Sequence, residues 1–241
     1  MDERSMRKAM ECRDGRVSII TGRDHKEFDC TLHELALDHG RLISRGPDVI
    51  LHLIPRLALI APLERIGGPH YDAFELSKKL ARPEILAKLM PLSQRVLKLL
   101  RSEPSEYGLT YTFSGPASLE VLNAGLIESV DCGKGSFIDV KGRFLPLDKL
   151  YKECTAAVSR LLWVLGELDF KESTCVFLTL TNVKGIKLYG KTPPFRELNG
   201  FVFEDQDCKV EEHVFFQTGL LNSDKISLHL VQQLAGCAQT T

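Results

Sequence analysis

Residues 147–188, LDKLYKECTAAVSRLLWVLGELDFKESTCVFLTLTNVKGIKL, decide the fold of this chain. In the first half, apolar residues recur every three or four positions, which predicts an amphipathic helix over residues 147–168. Residues 175–181 are uncharged and rich in strand-forming side chains, so a buried strand is predicted after the charged link 169–173. A helix that leads into a buried strand builds a fold, and nothing in this stretch points to catalysis.

The strongest second strand is predicted over residues 48–54. Both alternating sets of its side chains are largely apolar, a pattern typical of a strand buried on two faces, and Pro55 ends it. From Tyr107 onward, short extended runs separated by glycine turns favour an antiparallel meander. We therefore predict an α+β fold, with a mixed, largely antiparallel sheet and the long amphipathic helix packed across it.

Shorter elements are predicted on both sides of the first strand. A short strand over residues 16–21 and an amphipathic helix over residues 27–43 precede it. Helical patterns over residues 74–80, 84–90 and 92–100 follow, and prolines separate them. A last helix is expected to begin near Ser223, a residue type that caps helix N-termini well.

Composition limits the class of protein. The 241 residues are 44% hydrophobic and 26% charged, which is typical of a soluble globular protein. We expect a single domain over residues 1–241, with a candidate subdivision near residues 102–106, where a polar link contains a proline. The net charge of −1 argues against a large nucleic-acid footprint, which requires a basic excess, and leaves only a local basic patch.

Cysteine usage and hydropathy predict a cytoplasmic location. The seven cysteines are odd in number and include no CxxC pair, which favours reduced, mostly buried thiols over a disulfide framework. Residues 1–16 contain no apolar segment of the kind that a secretory signal needs. The longest apolar stretch, residues 49–63, is too short and too polar to span a bilayer, so we expect no membrane contact.

His52 is the most interesting polar residue, because it lies on the strand predicted to be most buried. A histidine there is either a general base or a core residue with a satisfied hydrogen bond. In the first case Arg56, just beyond the strand, is the natural neighbour to hold an anion. If strands 48–54 and 175–181 are parallel, Lys184 joins them, since ligands bind beyond the carboxyl ends of parallel strands. The candidate ligand-binding set is therefore His52, Arg56 and Lys184.

Other clusters of polar residues are better explained as solvent-exposed surface than as metal or catalytic sites. Asp29 and His33 share a helix face and could hold a metal, but a solvated face is the commoner reading. The carboxylates within residues 204–207 similarly suit a solvated turn. The chain has no GxSxG, HExxH or GxGxxG motif. We accordingly assign no catalytic residue, no metal site and no cofactor, and we lean towards a protein that is not an enzyme.

Four segments in order carry a family resemblance: VILHLIP (49–55), GLIESVD (125–131), VFLTLTNVKG (176–185) and LVQQLAG (230–236). Over roughly residues 42–236, the chain resembles the C-terminal region of bacterial proteins with an AlbA-type, Schlafen-like DNA-binding domain. The resemblance implies a mixed α/β region that stands beside another domain. In that family the AlbA-type domain precedes this region, whereas only about forty residues precede it here, so DNA binding is not carried over.

These observations lead to three functional hypotheses. The first is a non-catalytic interaction or regulatory module that binds a protein partner or associates with itself. The second is a small-ligand binder or enzyme, which requires His52, Arg56 and Lys184 to converge in one pocket. The third is a nucleic-acid-associated protein that uses a local basic patch, for which affinity must fall as salt rises.

Overall fold

A computed structural model describes residues 47–55, 73–92, 99–105, 108–113, 117–122, 125–132, 137–138, 144–170, 173–214 and 223–239. The strands in chain order are β1 (Asp48–Pro55), β2 (Leu99–Ser105), β3 (Gly108–Phe113), β4 (Ala117–Leu122), β5 (Ile127–Cys132), β6 (Phe144–Pro146), β7 (Thr174–Thr181), β8 (Lys187–Tyr189), β9 (Val202–Phe203), β10 (Cys208–Val214) and β11 (Ala238–Gln239). The helices are α1 (Ala73–Leu80), α2 (Pro83–Leu86), α3 (Leu147–Glu167) and α4 (Ser223–Gly236), with one 3₁₀ turn at Phe195–Leu198.

The strands form two sheets. The large sheet has seven strands in the order β10-β7-β1-β5-β4-β3-β2, and every neighbouring pair in it is antiparallel. The small sheet has the order β11-β9-β8-β6, and its one parallel pair joins β6 to β8. The meander predicted after Tyr107 is confirmed, because β3, β4 and β5 are consecutive neighbours in the large sheet.

The long helix α3 begins one residue after β6 and runs for 21 residues. The face predicted from its apolar spacing is buried and belongs to one hydrophobic cluster with α1, α4 and one face of the large sheet. Each fully buried leucine on it contributes about 2 kcal/mol by leaving water. The predicted α+β fold, with a long helix against a largely antiparallel sheet, is confirmed.

The two strands predicted to be central, β1 and β7, are adjacent and buried on both faces. On one face, Val49, Leu51 and Leu53 of β1 join the cluster beneath α3. On the other, Ile50 and His52 are also buried but lie outside that cluster. Alternation along the strand therefore places His52 on the sheet face opposite α3.

Several boundaries differ from the predictions. Helix α1 agrees with the predicted helix over 74–80, whereas α2 covers only the first turn of the segment 84–90. Leu99 and Leu100 were expected in a helix but begin strand β2, because this stretch pairs with β3. The same pairing makes the predicted polar link at 102–106 an outer strand through Ser105. The predicted elements at 16–21 and 27–43, and residues 93–98, lie outside the described residues.

No helix in the described part of the chain combines the length and the apolar character that a bilayer crossing needs.

Candidate functional site

His52 is buried, with 1% of its surface exposed, and its partner is a carboxylate. Strands β1 and β5 place His52 directly opposite Glu128, and the His52 Nε2 atom lies 3.0 Å from Glu128 Oε2. Among the described residues, none forms a hydrogen bond with the His52 Nδ1 atom. The imidazole is thus anchored at one nitrogen, as expected of a core histidine with a satisfied hydrogen bond.

The His52–Glu128 contact belongs to a row of polar residues that crosses four strands. Glu120 on β4 lies directly opposite Glu128, and Thr110 on β3 lies opposite Glu120. The Thr110 hydroxyl donates to Glu120 Oε1 at 3.4 Å. Two carboxylates directly opposite one another repel, and Glu120 is fully buried.

The structure does not bring His52 and Lys184 together. Because β1 and β7 are antiparallel, their carboxyl ends lie at opposite edges of the sheet, so the parallel arrangement required for the predicted set is absent. His52 is opposite Phe177, while Lys184 lies beyond Thr181 and is exposed. At about 3.3 Å per residue, the strand runs roughly 13 Å from Phe177 to its end at Thr181, and Lys184 lies three residues beyond that end. The third predicted residue, Arg56, lies outside the described residues.

A second polar cluster lies under α3 and was not predicted. The Arg160 guanidinium donates through Nη2 to the carbonyl oxygen of Pro91 at 3.0 Å. Burial lowers the pKa of Arg160, and the carboxylates of Glu153 and Asp131 act in the opposite direction. Asp131 is itself buried on the same face of the large sheet as the core. This arrangement fixes the segment after α2 against the helix, which is a structural role.

A third polar cluster joins the start of α3 to the loop after β8. Asp148 Oδ2 accepts a hydrogen bond from the Lys191 backbone N–H at 2.6 Å, and Oδ1 accepts from the Thr192 N–H at 3.2 Å and from its hydroxyl. Partial burial raises the pKa of Asp148, but these hydrogen bonds outweigh it and hold the pKa below its ordinary value. Asp148 thereby ties the long helix to the small sheet.

One face of the small sheet carries exposed apolar residues. Phe144 and Tyr189, on neighbouring strands β6 and β8, are 42% and 41% exposed. The buried pair Leu145 and Leu188 points to the other side. We call the exposed side the small-sheet face; it comprises Phe144, Pro146, Lys187, Tyr189, Val202 and Gln239.

The register aligns the small-sheet face into a continuous row. Phe144 pairs with Lys187, Lys187 with Val202, and Val202 with Gln239, so this row crosses all four strands. Exposed Glu204 lies at its rim, two residues beyond Val202 and on the same side because Phe203 between them is buried. The strands are too short, at two or three residues each, for alternation to reveal them in the sequence.

The described residues contain no group of three or more His, Cys, Asp or Glu side chains placed to hold a metal ion. Within the acidic segment 204–207, Asp207 Oδ1 accepts a hydrogen bond from the Asn182 backbone N–H at 3.0 Å. That bond fixes the turn after β7. Asp29 and His33 lie outside the described residues.

No protein-family model, curated protein or solved structure matches this chain. The resemblance to proteins with an AlbA-type domain, and the bacterial source that it implies, stay predictions.

Proposed function

We propose that this chain is a non-catalytic protein-interaction module and that the small-sheet face is its contact surface. The single observation that carries the proposal is the exposure of Phe144 and Tyr189 on the same face of neighbouring strands, in diagonal positions. Aromatic rings are enriched at the centres of protein interfaces. Covering the exposed part of each ring would contribute about 1–2 kcal/mol from apolar area alone.

The partner that we propose is a second copy of this chain. The small-sheet face presents Lys187, and the exposed carboxylate of Glu204 lies at its rim. A two-fold axis brings the same patch of two copies together, so it can place Lys187 of one copy against Glu204 of the other at both ends. The face is therefore complementary to itself in charge as well as in apolar character.

The area of the small-sheet face determines how strongly two copies are expected to associate. Four strands spaced about 4.8 Å apart, with two or three residues each, form a surface about 15–20 Å by 7–10 Å. A stable interface covers about 800 Å² on each partner, several times this area. The association should therefore be weak and reversible, with a dissociation constant of about 10 μM or higher.

The test is sedimentation velocity on the full chain over a wide range of concentration. The unmodified chain should show an average mass that rises with concentration, and the double variant Phe144→Ser/Tyr189→Ser should remain monomeric. The matched control is Phe74→Ser on α1, which removes a ring that is 65% exposed but lies away from this face. That control should associate like the unmodified chain.

Charge exchange gives an independent readout. Lys187→Glu and Glu204→Lys should each weaken the association, and the double exchange should restore it, because the pairs between copies are re-formed with reversed sign. A constant monomer mass for the unmodified chain at all concentrations would overturn the proposal. So would association that persists unchanged when both aromatic rings are removed.

The two alternative functions stay predictions. For ligand binding at His52, Arg56 and Lys184, the parallel strands that suggested Lys184 are antiparallel in the structure. Binding of nucleic acid to a local basic patch is tested by measuring affinity as the salt concentration rises.

A further inference from the structure

Two cysteines that are far apart in the sequence meet beside the last turn of α4. Cys208, the first residue of β10, is buried, and its Sγ donates to the Leu234 carbonyl oxygen at 3.9 Å. The backbone N–H of Cys237 donates to the same carbonyl oxygen at 3.1 Å. Cys237 is half-buried, and its Sγ donates to the Gln233 carbonyl oxygen at 3.6 Å. Both thiols are reduced.

We propose that Cys208 and Cys237 form a thiol–disulfide modification site, which a small disulfide such as oxidised glutathione converts to an internal disulfide. The shared carbonyl oxygen of Leu234 carries the proposal, because it holds the Cys208 sulfur and the Cys237 backbone N–H beside one atom. A disulfide forms only where two cysteines are this close without backbone movement.

The difference in environment sets the order of the steps. Burial, and after it the neighbouring Cys237 thiol, raises the pKa of Cys208, so Cys208 stays protonated at neutral pH. Cys237 is the more accessible of the two. The Cys237 thiolate therefore attacks one sulfur of the small disulfide, forms a mixed disulfide and releases one thiolate.

The second step closes the internal bond. Cys208 loses its proton to solvent, and its sulfur attacks the Cys237 sulfur of the mixed disulfide, releasing the second thiolate. Overall, two protein thiols are oxidised to one disulfide, and one small disulfide is reduced to two thiols. The raised pKa of Cys208 slows the second step, whereas the position of both cysteines beside the Leu234 carbonyl oxygen favours it over attack by an outside thiol.

The bond would join two separate parts of the fold. Cys208 begins an outer strand of the large sheet, and Cys237 immediately precedes β11, an outer strand of the small sheet. The disulfide closes a loop of about 30 residues that contains α4. Because the disulfide lowers the conformational entropy of the unfolded chain, it should raise the midpoint of thermal unfolding by about 5 °C.

The test treats the full folded chain with oxidised glutathione, blocks the remaining thiols under denaturing conditions and maps the peptides by mass spectrometry. The expected product is a cross-linked pair of peptides containing Cys208 and Cys237, with the higher unfolding midpoint, and both should be reversed by dithiothreitol. Cys208→Ser should instead accumulate the mixed disulfide at Cys237. Cys237→Ser should form neither product.

Cys175→Ala, which removes a buried thiol on β7, is the control and should still give the cross-linked pair. The proposal is overturned if the unmodified chain stops at the mixed disulfide on Cys237, since Cys208 is then out of reach. It is equally overturned if the mapped bond joins a different pair of cysteines. Sedimentation of the reduced chain is a separate readout, so failure of this proposal is distinguishable from failure of the proposed self-association.

Discussion

The His52 imidazole is held by Glu128 across the β1–β5 pair, with 3.0 Å between Nε2 and Oε2, on the sheet face opposite α3. A buried histidine with a carboxylate partner has two interpretations, a catalytic pair or a structural one. Here Glu128 also lies directly opposite Glu120 on β4, so the His52–Glu128 contact is part of a row of polar side chains that crosses the sheet. The contribution of the His52–Glu128 contact to the free energy of unfolding can be measured.

A double-mutant cycle on His52→Leu and Glu128→Ala should give a coupling energy of about 1–2 kcal/mol in the free energy of unfolding, measured by urea denaturation. The reason is the direct hydrogen bond, which either single change removes. The matched control combines His52→Leu with Lys184→Met, and these changes should be additive because the residues are far apart. Additivity in the first cycle would show that the contact contributes nothing, and coupling in the second would restore the predicted pocket.

Asp148→Ala should lower the free energy of unfolding by about 1 kcal/mol at neutral pH, since the loop N–H groups lose their acceptor. The pKa of Asp148 is lower in the folded chain than its ordinary value of 3.8. Its contribution is therefore complete above that value and is lost as the pH falls through the folded pKa. Urea titrations along a pH series should show the difference between the two proteins shrinking below about pH 4. A difference that grows in acid would contradict the assigned hydrogen bonds.

Gly125→Ala should destabilise the chain by about 2–4 kcal/mol. Gly125 has φ +78°, and a Cβ there would lie 2.8 Å from the ring of the buried Phe170. The left-handed backbone alone costs an alanine about 1–2 kcal/mol, and the contact adds to it. Gly185→Ala is the matched control, because Gly185 has φ +81° with open space around its Cβ position. Thermal or urea unfolding should show a larger loss of stability for Gly125→Ala than for Gly185→Ala. Equal losses of stability would mean that the Phe170 ring can move aside.

Arg160→Met should cost about 2 kcal/mol of unfolding free energy, although it keeps most of the apolar volume. The change removes the donor to the Pro91 carbonyl oxygen and leaves buried Asp131 without this nearby positive charge. Lys152→Met on the exposed side of the same helix should stay within about 0.5 kcal/mol of the unmodified chain. A loss at Arg160 as small as that at Lys152 would show that the cluster under α3 is not structural.

Local sequence patterns predicted an element correctly where a long segment repeats the same periodicity of apolar residues. Helix α3 and strands β1 and β7 were predictable because twenty or so residues with helical spacing, or eight consecutive strand residues without a break, are difficult to accommodate otherwise. Strand β2 was misassigned because a run such as Leu99-Leu100 suits a helix or a strand equally, and pairing with β3 decides between them.

The sequence alone therefore determined the class of fold, the long helix and its buried face, and the two strands that lie at the centre of the large sheet. Only the tertiary structure decided the direction in which those strands pair, and with it the separation of Lys184 from His52. It also decided that Glu128 faces His52, that Phe144 and Tyr189 share one exposed face, and that Cys208 and Cys237 both contact the Leu234 carbonyl oxygen. Contacts of this kind join residues dozens of positions apart, and their energies depend on the register of strands that local propensity does not specify.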